Sequence, residues 1–150
     1  MIRAAVNGDI PQIIKVVKEA HKESSSKGVP LDEEIIRKNV QVCILSAEHL
    51  VNVVEIVGVI EGVFIGVTNQ LWYSRKKQSA DLFFYVTPKG KGWGSSLLRR
   101  YIQWARVNKG VAEINLGVTS GIGDMDRTKK LYEKLGAVRV GDSYVLPKEK

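Results

Sequence analysis

Between residues 85 and 100 the chain reads Tyr-Val-Thr-Pro-Lys-Gly-Lys-Gly-Trp-Gly-Ser-Ser-Leu-Leu-Arg-Arg, and no other stretch restricts its fold as much. A strand-like run closes at Thr87 and Pro88, glycine alternates at Gly90, Gly92 and Gly94, and a helical pattern follows at once. A helix that begins directly after a strand leaves its first backbone N–H groups unpaired and points the positive end of its dipole at the turn. Glycine there lets the backbone approach an anion without interference from Cβ. Lys89 and Lys91 add positive charge, and Ser95 adds a hydroxyl. In physical terms this is a cradle for a phosphate or pyrophosphate. Its spacing excludes two nucleotide sites. The loop G-x-x-x-x-G-K-[ST] needs a glycine followed by Lys and then Ser or Thr, which is not found here. The dinucleotide fingerprint G-x-G-x-x-G does not fit alternating glycines. Glu113 does follow about 20 residues later, but it opens its strand instead of ending it, where the ribose would be.

The elements around this turn do not alternate regularly. Residues 2–5 read as a short strand, and Asp9 with Gln12 has the spacing of a capping box, with Pro11 in the first helical turn. Ile10, Ile13, Ile14, Val17 and His21 then share one helical face. A loop at 24–28 leads to a second helix over 31–45, with Asp32, Glu33 and Glu34 suited to its N-terminal dipole. Residues 49–67 are rich in Val and Ile and predict two strands, turning at Gly58 or Gly62. Residues 69–79 are polar and basic, and 81–86 form the next strand. The helix over 92–109 is the best defined. Trp93, Leu97, Leu98, Tyr101, Ile102, Trp104 and Ala105 fill one arc, opposite Ser95, Ser96, Arg99, Arg100, Gln103 and Arg106. A strand over 113–119, a helix over 126–135 stopped by Gly136, and small strands at 137–140 and 143–146 complete the chain. The pattern is mixed α+β, one domain over 1–150, and not a doubly wound sheet.

Composition narrows the setting. With 23 basic and 16 acidic residues the net charge is +7, which favours anionic partners. The one dense run, Arg75-Lys76-Lys77, lies in a polar connection, and most other lysines read as a solvated surface. The lone Cys43 forms no internal disulfide and offers no zinc spacing, so a reducing cytoplasm and no metal are expected. No apolar run reaches the roughly 20 residues of a membrane span, and no signal-peptide pattern opens the chain.

The stretch Val-Thr-Pro-Lys-Gly-Lys-Gly-Trp-Gly-Ser-Ser-Leu-Leu resembles the acyl-CoA loop of the GNAT N-acetyltransferases, [QR]-x-x-G-x-[GA], which follows a strand ending V-x-P. Its six positions are Lys89, Gly90, Lys91, Gly92, Trp93 and Gly94. Both glycine positions match, and Lys89 replaces the usual Arg or Gln. Residues 127–146 resemble the family's second cofactor motif, N-x-R-A-x-x-L-Y-x-K-x-G-F, and the first 21 residues resemble its opening strand and helix. Met125 stands where the family often has Asn, and Ala137 where it prefers Phe. The resemblance spans nearly the whole chain. It implies a central, mostly antiparallel mixed sheet of about six to seven strands flanked by about four helices, with a splayed strand pair holding the CoA arm.

The resemblance also implies a reaction: direct transfer of an acetyl group from acetyl-CoA to an amine in a ternary complex. Tyr85, Val86 and Thr87 would pair their backbone with the pantetheine arm, with an N–H near Tyr85 facing the acetyl oxygen. Lys91, Gly92, Gly94 and Ser95 would give amides to the pyrophosphate. Tyr132 would be the general acid, since a phenol with pKa about 10 is protonated at neutral pH. Without that role, Tyr132 is packing beside Leu131 and Leu135. The base is open among Asp81, Glu61, Glu55 and His49. Asp81 is the candidate carried forward, on one face with Phe83 and Tyr85 by strand alternation, although its distance from the reacting end counts against it. His21 reads as packed or loop-contacting, and Cys43 as a small core residue. Trp72, Tyr73 and the basic run either line the acceptor entrance or form a plain exposed hairpin. The acceptor amine (small molecule, protein or aminoacyl-tRNA) is not encoded, and a homodimer is among the assemblies the family shows. The alternative is a catalytically inactive, basic binding module of the same fold, recognising nucleic acid or an acidic partner.

Overall fold

The computed structural model describes residues 1–118 and 124–148. Its sheet is built outward from a hairpin of β2 (Leu50–Ile56) and β3 (Val59–Gln70). β1 (Ile2–Ala4) pairs with the outer edge of β2, and β4 (Lys77–Val86) pairs with β3, both antiparallel. β5 (Val111–Ile114) lies parallel to β4, giving one mixed sheet in the order β1-β2-β3-β4-β5. Between β2 and β3 the turn falls at Val57 and Gly58, and Gly62 lies inside β3. Both turn residues have positive φ, 49° and 76°, as a two-residue hairpin turn twisted to match its strands requires. Gly58 adopts this freely, whereas Val57, β-branched and 97% exposed, is strained without any compensating contact. Val57→Asn, giving the favoured Asn-Gly turn, is expected to stabilise the fold by about 1 kcal/mol, read as a rise of roughly 3 °C in Tm.

Helices cover both faces of the sheet. On one, Ile13, Ile14, Val16 and Ala20 of α1 (Ile10–Glu23) and Val40 and Cys43 of α2 (Glu33–Leu45) join Val51, Val53, Val63, Ile65 and Tyr85. On the other, Leu97, Leu98 and Tyr101 of α3 (Gly94–Val107) and Tyr132 of α4 (Met125–Lys134) pack with Val54 and Phe64. Gly66 of β3 lies beneath α3: a Cβ there would sit 2.9 Å from the Tyr101 ring, so its absence sets how closely helix and sheet approach.

Three expectations change. The capping box at Asp9 and Gln12 does not form at α1. Asp9 instead takes two hydrogen bonds from the Arg3 guanidinium, at 2.7 and 2.9 Å, and one from the Val6 N–H. Gln12 reaches across to β3, where its Oε1 accepts from the Ile60 N–H at 2.8 Å. The strands expected at 137–140 and 143–146 are absent. Their β-branched and aromatic residues have strand propensity, but neither run pairs with a sheet edge, and Val140 is 94% exposed. Among the described residues the sheet therefore has five strands instead of six or seven, with four α-helices as expected. β5 ends at Ile114, and Thr119, the expected end of that strand, lies outside the described residues.

Candidate functional site

The site begins where β4 and β5 part. They pair only from Lys77 to Ser79, and the Asn115 N–H still donates to the Ser79 carbonyl at 2.9 Å. The point of separation is pinned from α3. The buried Tyr101 hydroxyl lies 3.0 Å from Ser79 Oγ and donates to the Asn115 carbonyl at 3.0 Å. Two residues further on, a side chain spans the gap: Asp81 Oδ1 accepts from the Gly117 N–H at 2.9 Å. Beyond it, β4 keeps β3 as a partner on one edge, and among the described residues its other edge is free as far as Val86.

A β-bulge decides which way Asp81 faces. Ile65 of β3 is opposite Phe83, but the next residue, Gly66, is opposite Asp81, so Leu82 is the extra residue. The bulge reverses the alternation and re-aims the side chains before it. Asp81 thus shares the α3/α4 face with Ser79, Phe84 and Val86, while Phe83 and Tyr85 pack toward α1. The expectation that Asp81, Phe83 and Tyr85 share one face is corrected by this single inserted residue.

The splay opens into a groove of about 900 Å³. It brings together Asp81, Tyr85, Val86, Thr87, Lys91, Gly92, Gly94, Ser95 and Tyr132 of the residues expected from sequence. The other four stand off it. Lys89 is exposed on the 3-10 turn Pro88–Gly90. Gly90 packs against β3, where a Cβ would lie 2.6 Å from the Glu61 carbonyl oxygen. Trp93 is the residue before α3, and Met125 opens α4 without lining the groove. The wall is also formed by Asp124 ahead of α4, by Arg127, Thr128 and Leu131 on one side of α4, by Gly117, and by Val17, His21, Glu23 and Ser24 toward the end of α1. Arg127 and Leu131 fall within the stretch that resembles the second cofactor motif, whereas Gly117, Glu23 and Ser24 carried no signal in the sequence. A separate hollow of about 360 Å³ against α3, lined by Arg99, Arg106 and Leu135, holds none of the expected residues.

At one end of the groove Gly92 has φ of +98° with open space around its α-carbon, and Gly94 starts α3. The N–H groups of the first helical turn, with Lys91 and Arg127 on the walls, make this end suited to an anion. In the middle, the Gly117 peptide is held from both sides. Its N–H donates to Asp81, and its carbonyl accepts from the Tyr132 hydroxyl at 2.8 Å. Burial pushes the Asp81 carboxyl up to about 6, against the opposing pull of the Gly117 N–H. Burial, then the charge of Asp81, raises the Tyr132 phenol well above its ordinary value, so it keeps its proton. Near α1, burial and then the carboxylates of Glu23 and Glu19 push Tyr85 up to about 12.

The other candidates are engaged elsewhere. Glu55 pairs with Arg3, His49 Nδ1 faces the Thr68 N–H at 3.4 Å, and Glu61 accepts from the Thr87 hydroxyl. His21 lies with Nε2 2.7 Å from the Val29 carbonyl, a loop contact as read from the sequence, and Cys43 is buried in the core. Trp72, Tyr73, Arg75 and Lys76 form an exposed hairpin tip away from the groove.

No protein-family model matches the chain, and no curated protein matches it in sequence. Solved structures do match in fold. A ribosomal-protein-alanine N-acetyltransferase from Brucella melitensis biovar Abortus 2308 is similar over 98% of this chain and 99% of its own, with TM-score 0.67 and 15% identity. A GNAT family acetyltransferase from Staphylococcus aureus subsp. aureus is similar over 98% and 97%, with TM-score 0.65 and 15% identity. An aminoglycoside acetyltransferase from an uncultured soil metagenomic sample is similar over 99% and 96%, with TM-score 0.68 and 20% identity. The fold is the acyl-CoA N-acyltransferase fold of the GNAT acetyltransferases.

Proposed function

We propose that the protein is an N-acetyltransferase that moves an acetyl group from acetyl-CoA to a primary amine by direct transfer within a ternary complex. The observation that carries this reading is the splayed groove itself, which joins the glycine turn before α3 to Asp81 and Tyr132 along the free edge of β4. The residues present fit the donor. Gly92 and Gly94 leave room for a close anion, Lys91 and Arg127 supply charge, and residues 82–86 present to an extended arm a strand edge that is unpaired among the described residues. Acetyl-CoA supplies an activated thioester. The amine nitrogen bonds to the acyl carbon as the carbon–sulfur bond breaks, one proton leaves the nitrogen, and one is delivered to the sulfur. Asp81, through water or directly, takes the first. Tyr132 holds the second on the Gly117 carbonyl and turns its hydroxyl to give it up.

Solved structures of this fold include proteins described as acting on aminoglycosides and on a ribosomal-protein alanine, so the acceptor panel spans both kinds of amine. Wild-type protein is expected to show saturable thermal stabilisation by acetyl-CoA and acceptor-dependent thiol release. No stabilisation of folded protein by any acyl-CoA would sink the reading. Among the described residues no helix is long and apolar enough to cross a membrane, and the single, buried Cys43 suits a cytoplasmic setting.

One observation favours a second reading, a module that binds an anionic macromolecule. The hairpin tip presents Trp72, 94% exposed and edge-on to Tyr73, beside Arg75 and Lys76. It predicts salt-sensitive polynucleotide binding lost in Trp72→Ala, and binding indifferent to ionic strength counts against it.

A further inference from the structure

We infer that Glu61 is the positioning residue of the anion-binding turn, setting the spacing of its amides from beneath without touching the ligand. This rests on the acyl-CoA reading of the groove. Glu61 lies on β3, only 9% exposed, and does not line the groove. It holds Thr87 twice at the residue where β4 ends. The Thr87 N–H donates to the Glu61 carbonyl at 2.8 Å, and the Thr87 hydroxyl donates to the Glu61 carboxylate. From Thr87 the turn is built by successive backbone bonds. Gly90 N–H donates to the Thr87 carbonyl at 2.9 Å, Lys91 N–H to Pro88, and Trp93 N–H to Gly90 at 3.1 Å. The turn also rests directly on Glu61. Gly90 approaches so closely that a Cβ would lie 2.6 Å from the Glu61 carbonyl oxygen and 3.2 Å from its Cβ.

These contacts give the first alternating glycine a task different from the other two. Gly90 is a seat on β3, whereas Gly92 and Gly94 line the groove. Of the hydrogen bonds just named, the one from the Thr87 hydroxyl to Glu61 is the side-chain bond, so it is the one that sequence can tune. Losing it frees Thr87 to rotate and loosens the register of Lys91, Gly92, Gly94 and Ser95 against an anion. The atoms along the free edge of β4 and at Asp81 and Tyr132 stay where they are. The signature is therefore selective: weaker hold on the pyrophosphate end of the donor, with unchanged chemistry once the donor is bound.

The test compares Glu61→Ala, Glu61→Gln and Thr87→Val by calorimetric titration with CoA and with acetyl-pantetheine, which lacks the pyrophosphate. Glu61→Ala and Thr87→Val are expected to weaken CoA about tenfold, as for loss of a buried hydrogen bond to a charged group. In Glu61→Ala, acetyl-pantetheine affinity and kcat at saturating acetyl-CoA should stay within about twofold. Glu61→Gln, whose amide oxygen still accepts from Thr87, should restore CoA binding, and Glu61→Ala combined with Thr87→Val should be no worse than either alone. Equal weakening of both ligands, or no weakening, overturns the inference. Hydrogen exchange at the Gly90 and Lys91 amides, measured without ligand, separates this from the enzymatic reading. Faster exchange in Glu61→Ala with restoration in Glu61→Gln is expected even if wild-type protein binds no CoA, and unchanged exchange overturns the inference in either case.

Discussion

Tyr132→Phe is expected to lower kcat by roughly 10²–10³-fold while leaving the Kd for acetyl-CoA within about twofold. The phenyl ring keeps the packing of Tyr132 among Leu97, Leu98 and Tyr101, so the groove wall is preserved and only the proposed proton source is removed. Among the described residues the hydroxyl has one partner, the Gly117 carbonyl, and its loss should take about 1 kcal/mol from stability. Two further outcomes tie the effect to proton delivery. Burial and the neighbouring Asp81 charge raise the phenol well above its ordinary range, so Tyr132 stays protonated across any working pH and adds no falling limb to the pH–rate profile below about 10. The deficit of Tyr132→Phe should also shrink with an acyl donor whose thiol is more acidic than that of CoA, because such a leaving group departs without a proton. A deficit equal for both donors would make Tyr132 a packing residue of the wall.

How far the site could be read from sequence follows from where each piece of geometry is encoded. The glycine turn, the amphipathic α3 and the Leu-Tyr pair of α4 are local, since spacing within one element decides them. The direction of Asp81 is not local. It depends on Ile65 and Gly66 of β3 facing Phe83 and Asp81 across the bulge at Leu82, and a one-residue shift turns a side chain to the other face of a sheet. Tyr101 fits the apolar arc of α3 and reads as core, yet its hydroxyl pins the separation of β4 from the chain after β5. Gly117 carries no pattern at all, and its importance comes entirely from the two side chains that meet its peptide. The alternating glycines look equivalent in sequence and differ only in what lies behind them, which is β3 for Gly90 and open groove for Gly92. Asp9 shows the same limit: a sound capping pattern yields to a guanidinium brought in by β1.

Asp81→Asn should move activity and stability in opposite directions, which makes it the most informative substitution in the groove. In its proposed role as the base, Asp81 must be ionised, so kcat/KM of the wild type is expected to rise with pH through about 6, apart from any limb set by the amine itself. The variant should lose that limb and roughly 10²-fold or more of the rate above it. The sign of the stability effect follows from linkage. The folded pKa lies above the ordinary 3.8, so between about 4 and about 6 the native state binds more protons than the unfolded chain. Wild-type stability therefore falls as pH rises through that window, and the full penalty of holding a charged carboxylate in the groove is present at pH 7. For a half-buried group this penalty is about 1–2 kcal/mol after allowing for solvent screening. Asparagine keeps an oxygen to accept from the Gly117 N–H and removes the charge, so Asp81→Asn should unfold at a higher Tm at pH 7, with the gain vanishing below about pH 4. A variant that is less stable and still active would show Asp81 to be a strut between β4 and the chain after β5. Gain of stability with loss of the limb near pH 6 would show that the fold holds a destabilising charge where the reaction uses it.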